Sequence, residues 1–340
     1  MINSIYRLTS PGLFEEAFVE VNLNDKVVIR PLYLSICQAD QRYYQGQRDY
    51  KILKEKLPMA LIHEAVGVVV KDFTGNFNVG DKVTMIPNTP QESDEIIAEN
   101  YLKSSKFKSS GEDGFLSEFV ILNQDRVLKI PDNINLKVAS FIELISVAYH
   151  SIKRFEKLSH PKKEKIGVWG DGNLGFILSL LLKTIYTTSE IIVFGKNQEK
   201  LSYFTFADKT YDINDVPEDL AIDHVFECVG GFKAENAINQ IINVINPQGS
   251  IALLGVSEIN VAINTRIILE KGLILFGNSR SGREDFIETI QLINKNPKIS
   301  NYLENLVANE ITVNSIPDIV NAFNIDFNSN FGKTILEWNL

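Results

Sequence analysis

The residues between positions 165 and 196 constrain the fold of this chain more than any other segment. A short apolar run at 166–169 leads into Gly170-Asp171-Gly172-Asn173-Leu174-Gly175, and a helical pattern follows over 174–182. The spacing G-x-G-x-x-G alone is weak evidence because glycines recur in ordinary turns, but between a strand and a helix it indicates a βαβ unit. The segment therefore predicts a parallel sheet with helices on its faces.

Each glycine of this turn has a separate part in the predicted structure. Gly170 permits the tight turn, Gly172 lets the backbone approach a ligand, and Gly175 allows the helix to pack closely on the strand. The helix begins around Asn173 and Leu174, where free N–H groups and the positive end of the helix dipole favour phosphate. These residues are candidate ligands of a dinucleotide pyrophosphate, and a strand–helix turn without a ligand is the alternative.

The end of the next strand bears on which dinucleotide the site takes. An NAD site usually has an acidic residue there, about 20 residues on, to bind the ribose 2′-hydroxyl. Gly195 stands at that position here, and Lys196 follows it. A cation in place of a carboxylate favours a 2′-phosphate and predicts NADP(H), unless Lys196 is only a solvated surface lysine. Such a cofactor is typical of a nicotinamide-dependent oxidoreductase.

The rest of the chain divides into regions of different pattern. Its 340 residues suit two domains. From about Lys165, strand-like runs alternate with helical ones, which is typical of a doubly wound parallel sheet, whereas the first 150 residues contain short β-branched strands. After Arg283 the pattern predicts two helical stretches and a closing strand over 333–338. The predicted fold class is α/β, a β-rich domain beside a Rossmann domain.

Charge and composition exclude several classes of function. A net charge of −9 and a pI near 5.1 argue against a nucleic-acid binder, which needs a basic face. We expect no signal peptide, because Met1-Ile2-Asn3-Ser4 lacks a basic start before an apolar run, and no membrane span, because no apolar run is long enough. Cys37 and Cys228 cannot build a disulfide framework, so a reducing cytoplasm is the expected location.

Four separated polar residues form a candidate metal site. Cys37 follows a strand, while His63, Glu64 and Glu143 each interrupt an apolar stretch, where polar groups are costly unless paired or coordinated. A thiolate, an imidazole and carboxylates are ligands that zinc accepts, with water or substrate completing a catalytic site. The long spacing leaves ordinary core or surface roles open as the alternative.

These segments together resemble the zinc-containing medium-chain dehydrogenases/reductases over nearly the whole chain. The resemblance lies in the glycine turn and in Ile36-Cys37-Gln38-Ala39-Asp40, Ile62-His63-Glu64, Val79-Gly80-Asp81-Lys82-Val83 and Phe226-Glu227-Cys228-Val229-Gly230. The segment from Glu143 to His150 resembles the sorbitol-type branch, which has a carboxylate near the zinc.

The resemblance implies a GroES-like catalytic domain, residues 1–150 and 284–340, with a dinucleotide-binding Rossmann domain, 151–283, inserted in it. It makes Cys37, His63 and Glu64 neighbours of one catalytic zinc, with Glu143 as a ligand or a partner of bound water. Asp40 would orient the imidazole of His63. Lys333 would reach the cofactor phosphates, and a homodimer is the expected assembly.

Within this family the chain is most similar to the ribulose-5-phosphate reductases, which make ribitol 5-phosphate for teichoic acid or capsule precursors. This closer likeness lies in Gln41-Arg42-Tyr43-Tyr44, Pro87-Asn88-Thr89-Pro90 and residues 97–105. It implies a sugar-phosphate substrate, a product that feeds CDP-ribitol synthesis, and association with a cytidylyltransferase of the same pathway. Arg42 and Arg48 are candidate phosphate ligands because arginine can grip phosphate bidentately, with solvated surface arginines as the alternative.

Three departures from the family pattern change these expectations. No cysteine lies between residues 38 and 227, so no structural zinc is expected. Ile62 replaces a usual glycine, which should change packing more than chemistry. Ala39 stands where many relatives begin a proton relay with Ser or Thr, so Tyr43, Glu64 or metal-bound water would take that part.

Two alternative functions remain compatible with the sequence. One is a sorbitol-type, NAD(P)-dependent polyol dehydrogenase that oxidises unphosphorylated sugar alcohols. The other is a metal-free protein, either similar to quinone oxidoreductases or a cofactor sensor. The joint presence of Cys37, His63, Glu64 and Glu143 favours the zinc enzyme over the metal-free protein.

Overall fold

The computed structural model describes residues 1–217 and 219–340, which divide into two compact units. The first unit comprises Met1–Ser146 and Ser281–Leu340, and the second comprises Val147–Arg280. The boundaries expected from sequence, after residues 150 and 283, lie slightly further along the chain.

The strands supply the sheets of both units and are numbered in chain order. They are β1 (Ile2–Ser10), β2 (Leu13–Glu20), β3 (Val27–Ser35), β4 (Met59–Ala60), β5 (Glu64–Asp72), β6 (Lys82–Met85), β7 (Asn88–Thr89), β8 (Lys106–Phe107), β9 (Val120–Leu122), β10 (Val127–Lys129), β11 (Lys165–Trp169), β12 (Glu190–Gly195), β13 (Lys209–Asp212), β14 (Ile222–Glu227), β15 (Ile245–Leu253), β16 (Ile274–Gly277), β17 (Val307–Val313) and β18 (Lys333–Trp338).

The helices are numbered in the same way. They are α1 (Gln38–Tyr44), α2 (Tyr50–Lys56), α3 (Leu136–Ala139), α4 (Ile142–Leu158), α5 (Asn173–Ile185), α6 (Gln198–Ser202), α7 (Ala234–Val244), α8 (Thr265–Lys271), α9 (Arg283–Lys295), α10 (Pro297–Glu304) and α11 (Ile316–Asn328). Within the two described ranges, none of these helices combines the length and the apolar character needed to cross a membrane.

The second unit contains the parallel sheet that the glycine turn predicts. Its six strands lie in the order β13-β12-β11-β14-β15-β16, and every pairing is parallel. In chain order this is 3-2-1-4-5-6, the arrangement of a doubly wound dinucleotide-binding fold. The central strands are buried over all or nearly all of their length, as strands covered by helices on both faces must be. The predicted α/β class is confirmed.

The first unit is β-rich, and its principal sheet brings distant segments side by side. That sheet has the order β10-β6-β5-β3-β18-β17, with β9 also paired to β3. The closing strand β18 runs antiparallel to β3, and β3 runs antiparallel to β5. A hydrophobic core that includes Leu8, Phe115 and Trp338 lies against these strands.

The segment from Arg283 to the end of the chain contains more elements than the sequence pattern predicts. Three helices follow that residue instead of two, and β17 lies between the second and the third. The burial of β17 alternates between half-buried and exposed residues, so it has no continuous apolar run to mark it in the sequence.

Candidate active site

The four candidate metal ligands converge because of strand register in the first unit. Cys37 is the N-cap of α1, two residues beyond the end of β3, and Glu64 begins β5. Ser35 pairs with Glu64 across these strands and with Ile335 of β18 on the other side, so the ends of three strands meet. Glu143 joins them from the first turn of α4.

The donor atoms around these residues form two overlapping groups of three, which share His63 and could each hold an ion. Ligand atoms of Cys37, Asp40 and His63 lie within 4.8 Å of one another, as do those of His63, Glu64 and Glu143. The His63 Nε2 to Glu143 Oε2 distance is 4.0 Å, which is too long for a hydrogen bond. The side chains of His63, Glu64 and Glu143 are 6%, 0% and 5% exposed, so their charges are largely shielded from water.

Lys333 lies inside this cluster as a direct partner of Glu64. Its Nζ is 3.0 Å from Oε1 and 2.8 Å from Oε2 of Glu64, and it donates a 2.7 Å hydrogen bond to the Ile36 carbonyl. With an exposure of 2%, the amine is fully engaged by the protein. The resemblance assigned Lys333 to the cofactor phosphates, and that contact stays a prediction.

Burial and mutual charge perturb the acidities of the cluster. Burial raises the pKa of the Cys37 thiol, although His63 and Lys333 oppose the change. Burial also raises the pKa of Glu143 to about 7. Burial lowers the pKa of His63, but the nearby Asp40 and Cys37 outweigh it and set the pKa well above its ordinary value. Such strongly perturbed groups in one place are typical of functional sites.

Asp40 is held by a set of donors that the sequence only partly indicates. Its Oδ1 accepts hydrogen bonds from the Ile62 N–H at 3.0 Å and the Ser109 hydroxyl at 2.6 Å. Its Oδ2 accepts one from the Cys37 N–H at 3.1 Å. Oδ1 also lies 3.5 Å from His63 Nδ1. The carboxylate is therefore fixed beside the imidazole, as an orienting partner of a metal ligand should be.

Ser109 and Ile62 are non-glycine residues whose backbone lies in the left-handed region, with φ of 60° and 71°. For a buried β-branched residue such as Ile62, that conformation carries backbone strain. The exchange of glycine for isoleucine therefore affects backbone conformation as well as packing. Sequence reasoning missed Ser109, because only the folded loop brings it to a carboxylate 69 residues away.

Tyr43 and the two arginines lie on or just beyond α1. The Tyr43 ring is 2% exposed, and the guanidinium carbon of Arg48 lies 4.9 Å from its centroid. Arg42 lies in the last turn of α1, and both arginines are half-buried. Their predicted binding of substrate phosphate, and the predicted part of Tyr43 in proton transfer, stay predictions.

The glycine turn of the second unit has the geometry that phosphate binding requires. A Cβ on Gly175 would lie 2.0 Å from the Gly170 carbonyl oxygen, and Gly170 itself has a φ of +131°. By contrast, a Cβ on Gly172 would meet no atom within 4 Å, so the backbone there is open to a ligand. Asn173 and Leu174 form the first turn of α5, whose N-cap is Gly172.

The strand-end residues are also placed as expected from the sequence. Gly195 is the last residue of β12, and Lys196 follows it with an exposed side chain. This is the edge of the sheet at which the carboxyl ends of the strands lie, where dinucleotides bind in such folds.

Comparison with known proteins identifies relatives that match the full chain. The family model of the alcohol dehydrogenase GroES-like domain matches residues 24–132. Ribulose-5-phosphate reductase of Bacillus spizizenii is 53% identical over 341 residues, covering 100% of both chains. Ribulose-5-phosphate reductase 1 of Staphylococcus aureus is also 53% identical, covering 99% of each. The crystal structure of S. aureus TarJ in complex with NADPH has a TM-score of 0.90 and 48% identity, covering 100% of both chains.

Proposed function

We propose that this chain reduces ribulose 5-phosphate to ribitol 5-phosphate with NADPH. The chain belongs to the ribulose-5-phosphate reductases of the medium-chain dehydrogenase family. The full-length identity of 53% to reductases of that name carries this proposal. The hydride of NADPH would go to the ketone carbon and a proton to its oxygen, giving a secondary alcohol and NADP⁺. The product would feed CDP-ribitol for cell-wall or capsular polymers.

The chemistry of the donor set fits one catalytic zinc. Thiolate, imidazole and carboxylate are its usual protein ligands, and here a half-buried cysteine lies beside a buried histidine and buried carboxylates. The nitrogen Nδ1 of His63 faces Asp40 Oδ1 at 3.5 Å, which leaves Nε2, 4.0 Å from Oε2 of Glu143, to bind the metal. When bound, zinc would polarise the substrate carbonyl as a Lewis acid and stabilise the developing negative charge on its oxygen.

Among the carboxylates, the contacts favour Glu143 over Glu64 as the zinc ligand. Glu64 is paired with the ammonium of Lys333, whereas Glu143 lies 4.0 Å from the imidazole of His63. We therefore assign Cys37, His63 and Glu143 as ligands, and Asp40 as the residue that orients His63. A single zinc is expected per chain, since Cys228 lies in the second unit, at the glycine turn.

Substrate and cofactor would be held by separate groups of this chain. The turn at Gly172 and the first N–H groups of α5 would bind the pyrophosphate, and Lys196 would bind the 2′-phosphate. Arg42 and Arg48 would bind the phosphate of the sugar. Homodimer formation, association with a cytidylyltransferase and a cytoplasmic location stay expectations drawn from the family.

A substrate screen combined with metal analysis tests this function. Oxidation of NADPH should be rapid with ribulose 5-phosphate and slow with ribulose. In the reverse direction, reduction of NADP⁺ by sorbitol should be slow. Equal turnover of ribulose and its phosphate would contradict the phosphate pocket. Glu143→Gln should lose zinc during dialysis while Glu64→Gln retains it, and the opposite pattern would overturn the ligand assignment.

A further inference from the structure

Asp171, the second residue of the glycine turn, connects that turn to the loop that follows β12. Its Oδ2 accepts hydrogen bonds from the backbone N–H of Lys196 at 2.7 Å and of Asn197 at 2.8 Å. Both bonds are charge-assisted, so they are stronger than bonds between neutral groups. One side chain therefore fixes the loop that carries the candidate 2′-phosphate ligand.

The same side chain excludes any residue other than glycine from position 195. A Cβ on Gly195 would lie 2.6 Å from the Asp171 Cβ and 2.8 Å from its Oδ2, closer than Cβ atoms approach in proteins. It would also lie 2.7 Å from Cδ2 of Leu201, the far end of a flexible side chain. The identity of residue 195 is thus coupled to that of residue 171.

This coupling bears on the cofactor because position 195 is where an NAD site places its carboxylate. Here the local carboxylate comes from the glycine turn instead, and two backbone N–H groups donate hydrogen bonds to it. The side chain of Lys196, whose N–H is one of these donors, is exposed.

We propose that Asp171 is a positioning residue that determines cofactor specificity: it keeps an acid out of position 195 and anchors Lys196 for the adenosine 2′-phosphate. The proposal rests on the use of NADPH under the proposed function. It adds a residue whose side chain acts through the loop to which it is hydrogen-bonded.

Direct titration of NADPH and NADH by fluorescence, with folding followed by circular dichroism, tests the coupling. Asp171→Gly should weaken NADPH binding about tenfold, because the loop loses two charge-assisted hydrogen bonds. Gly195→Asp should bind neither cofactor tightly. The double variant Asp171→Gly/Gly195→Asp should bind NADH at least about tenfold more tightly than Gly195→Asp alone.

A matched control separates Asp171 from the second steric contact. Leu201→Ala/Gly195→Asp removes the leucine contact and keeps Asp171, so it should not recover NADH binding. If Gly195→Asp fails to fold, Gly195→Ala with the same partner substitutions tests the steric coupling alone: Asp171→Gly should restore folding and Leu201→Ala should not.

The outcomes also distinguish this inference from the cofactor assignment. If the wild-type protein prefers NADPH but the double variant does not recover NADH binding, the role of Asp171 is overturned and the cofactor assignment stands. Recovery in the Leu201 control as large as in the Asp171 double variant would overturn it too. Wild-type protein without any preference for NADPH would overturn the cofactor assignment, and the specificity role with it.

Discussion

Replacing Lys333 with methionine should strongly destabilise the metal-free protein, because it leaves the carboxylate of Glu64 buried without its cation. The two side chains are 2% and 0% exposed, and the ammonium lies within 3.0 Å of both carboxylate oxygens. Removing one partner of such a buried pair costs about 3–5 kcal/mol. For a unit of this size, that loss corresponds to a fall in Tm of about 6–20 °C.

The assay is thermal unfolding of chelator-treated protein, with a second lysine as the matched control. Lys137 pairs with Glu310 at 2.6 Å, but both side chains are substantially exposed, so Lys137→Met should cost about 1 kcal/mol or less. Adding Glu64→Gln to Lys333→Met should restore most of the lost stability, because no unpaired charge then remains buried. Equal, small effects of the two lysine substitutions would refute the reasoning, as would strictly additive effects in the double variant.

Three further predictions concern separate features. Ser109→Ala and Ser109→Gly should each weaken zinc binding about tenfold in competition with a chromogenic chelator, because both remove the hydroxyl that orients Asp40. Glycine suits the φ of 60° at this position, so full zinc affinity in Ser109→Gly would show that the hydroxyl is not needed and that any loss in Ser109→Ala comes from backbone strain. Gly175→Ala should lower Tm, since its Cβ would meet a carbonyl oxygen at 2.0 Å, while Gly172→Ala should keep its Tm and lose NADPH affinity in a fluorescence titration. Burial lowers the pKa of His224 to about 4 from 6.5, so the unfolded chain binds more protons than the folded chain between these pH values. Stability should therefore fall as the pH drops from about 6.5 towards 4, and an unchanged pH slope of Tm in His224→Gln would contradict this.

The sequence predicts the second unit well because its signals are local. The run 166–169 lies within β11, and the helical pattern at 174–182 lies within α5. Period and glycine spacing suffice there, since each element is defined by adjacent residues. The strand β17 was missed for the opposite reason: its residues alternate in burial and its partner β18 lies beyond another helix.

For the active site, the sequence and the family resemblance indicate which residues belong together, but not how they interact. Glu64 and Lys333 are 269 residues apart in the sequence, and they meet because β18 pairs with β3 and β3 pairs with β5. Likewise, no spacing rule connects Asp171 with the backbone of residues 196 and 197. Side-chain hydrogen bonds depend on register and loop conformation, which the local pattern does not specify.

The buried carboxylates of the active site differ in which groups compensate their negative charge. A buried carboxylate is tolerated when it is paired or fully hydrogen-bonded. Asp40 accepts three hydrogen bonds, and Glu64 has the ammonium of Lys333. Glu143 has neither arrangement: its pKa is raised to about 7 by burial, and the imidazole of His63 lies 4.0 Å away. A dication bound by the thiolate of Cys37 and by Glu143 would balance both negative charges, whereas one bound by Glu64 would leave Lys333 buried and unpaired. The charges around these carboxylates therefore support the proposed assignment of Glu143 as the ligand, since Glu64 is already paired with Lys333.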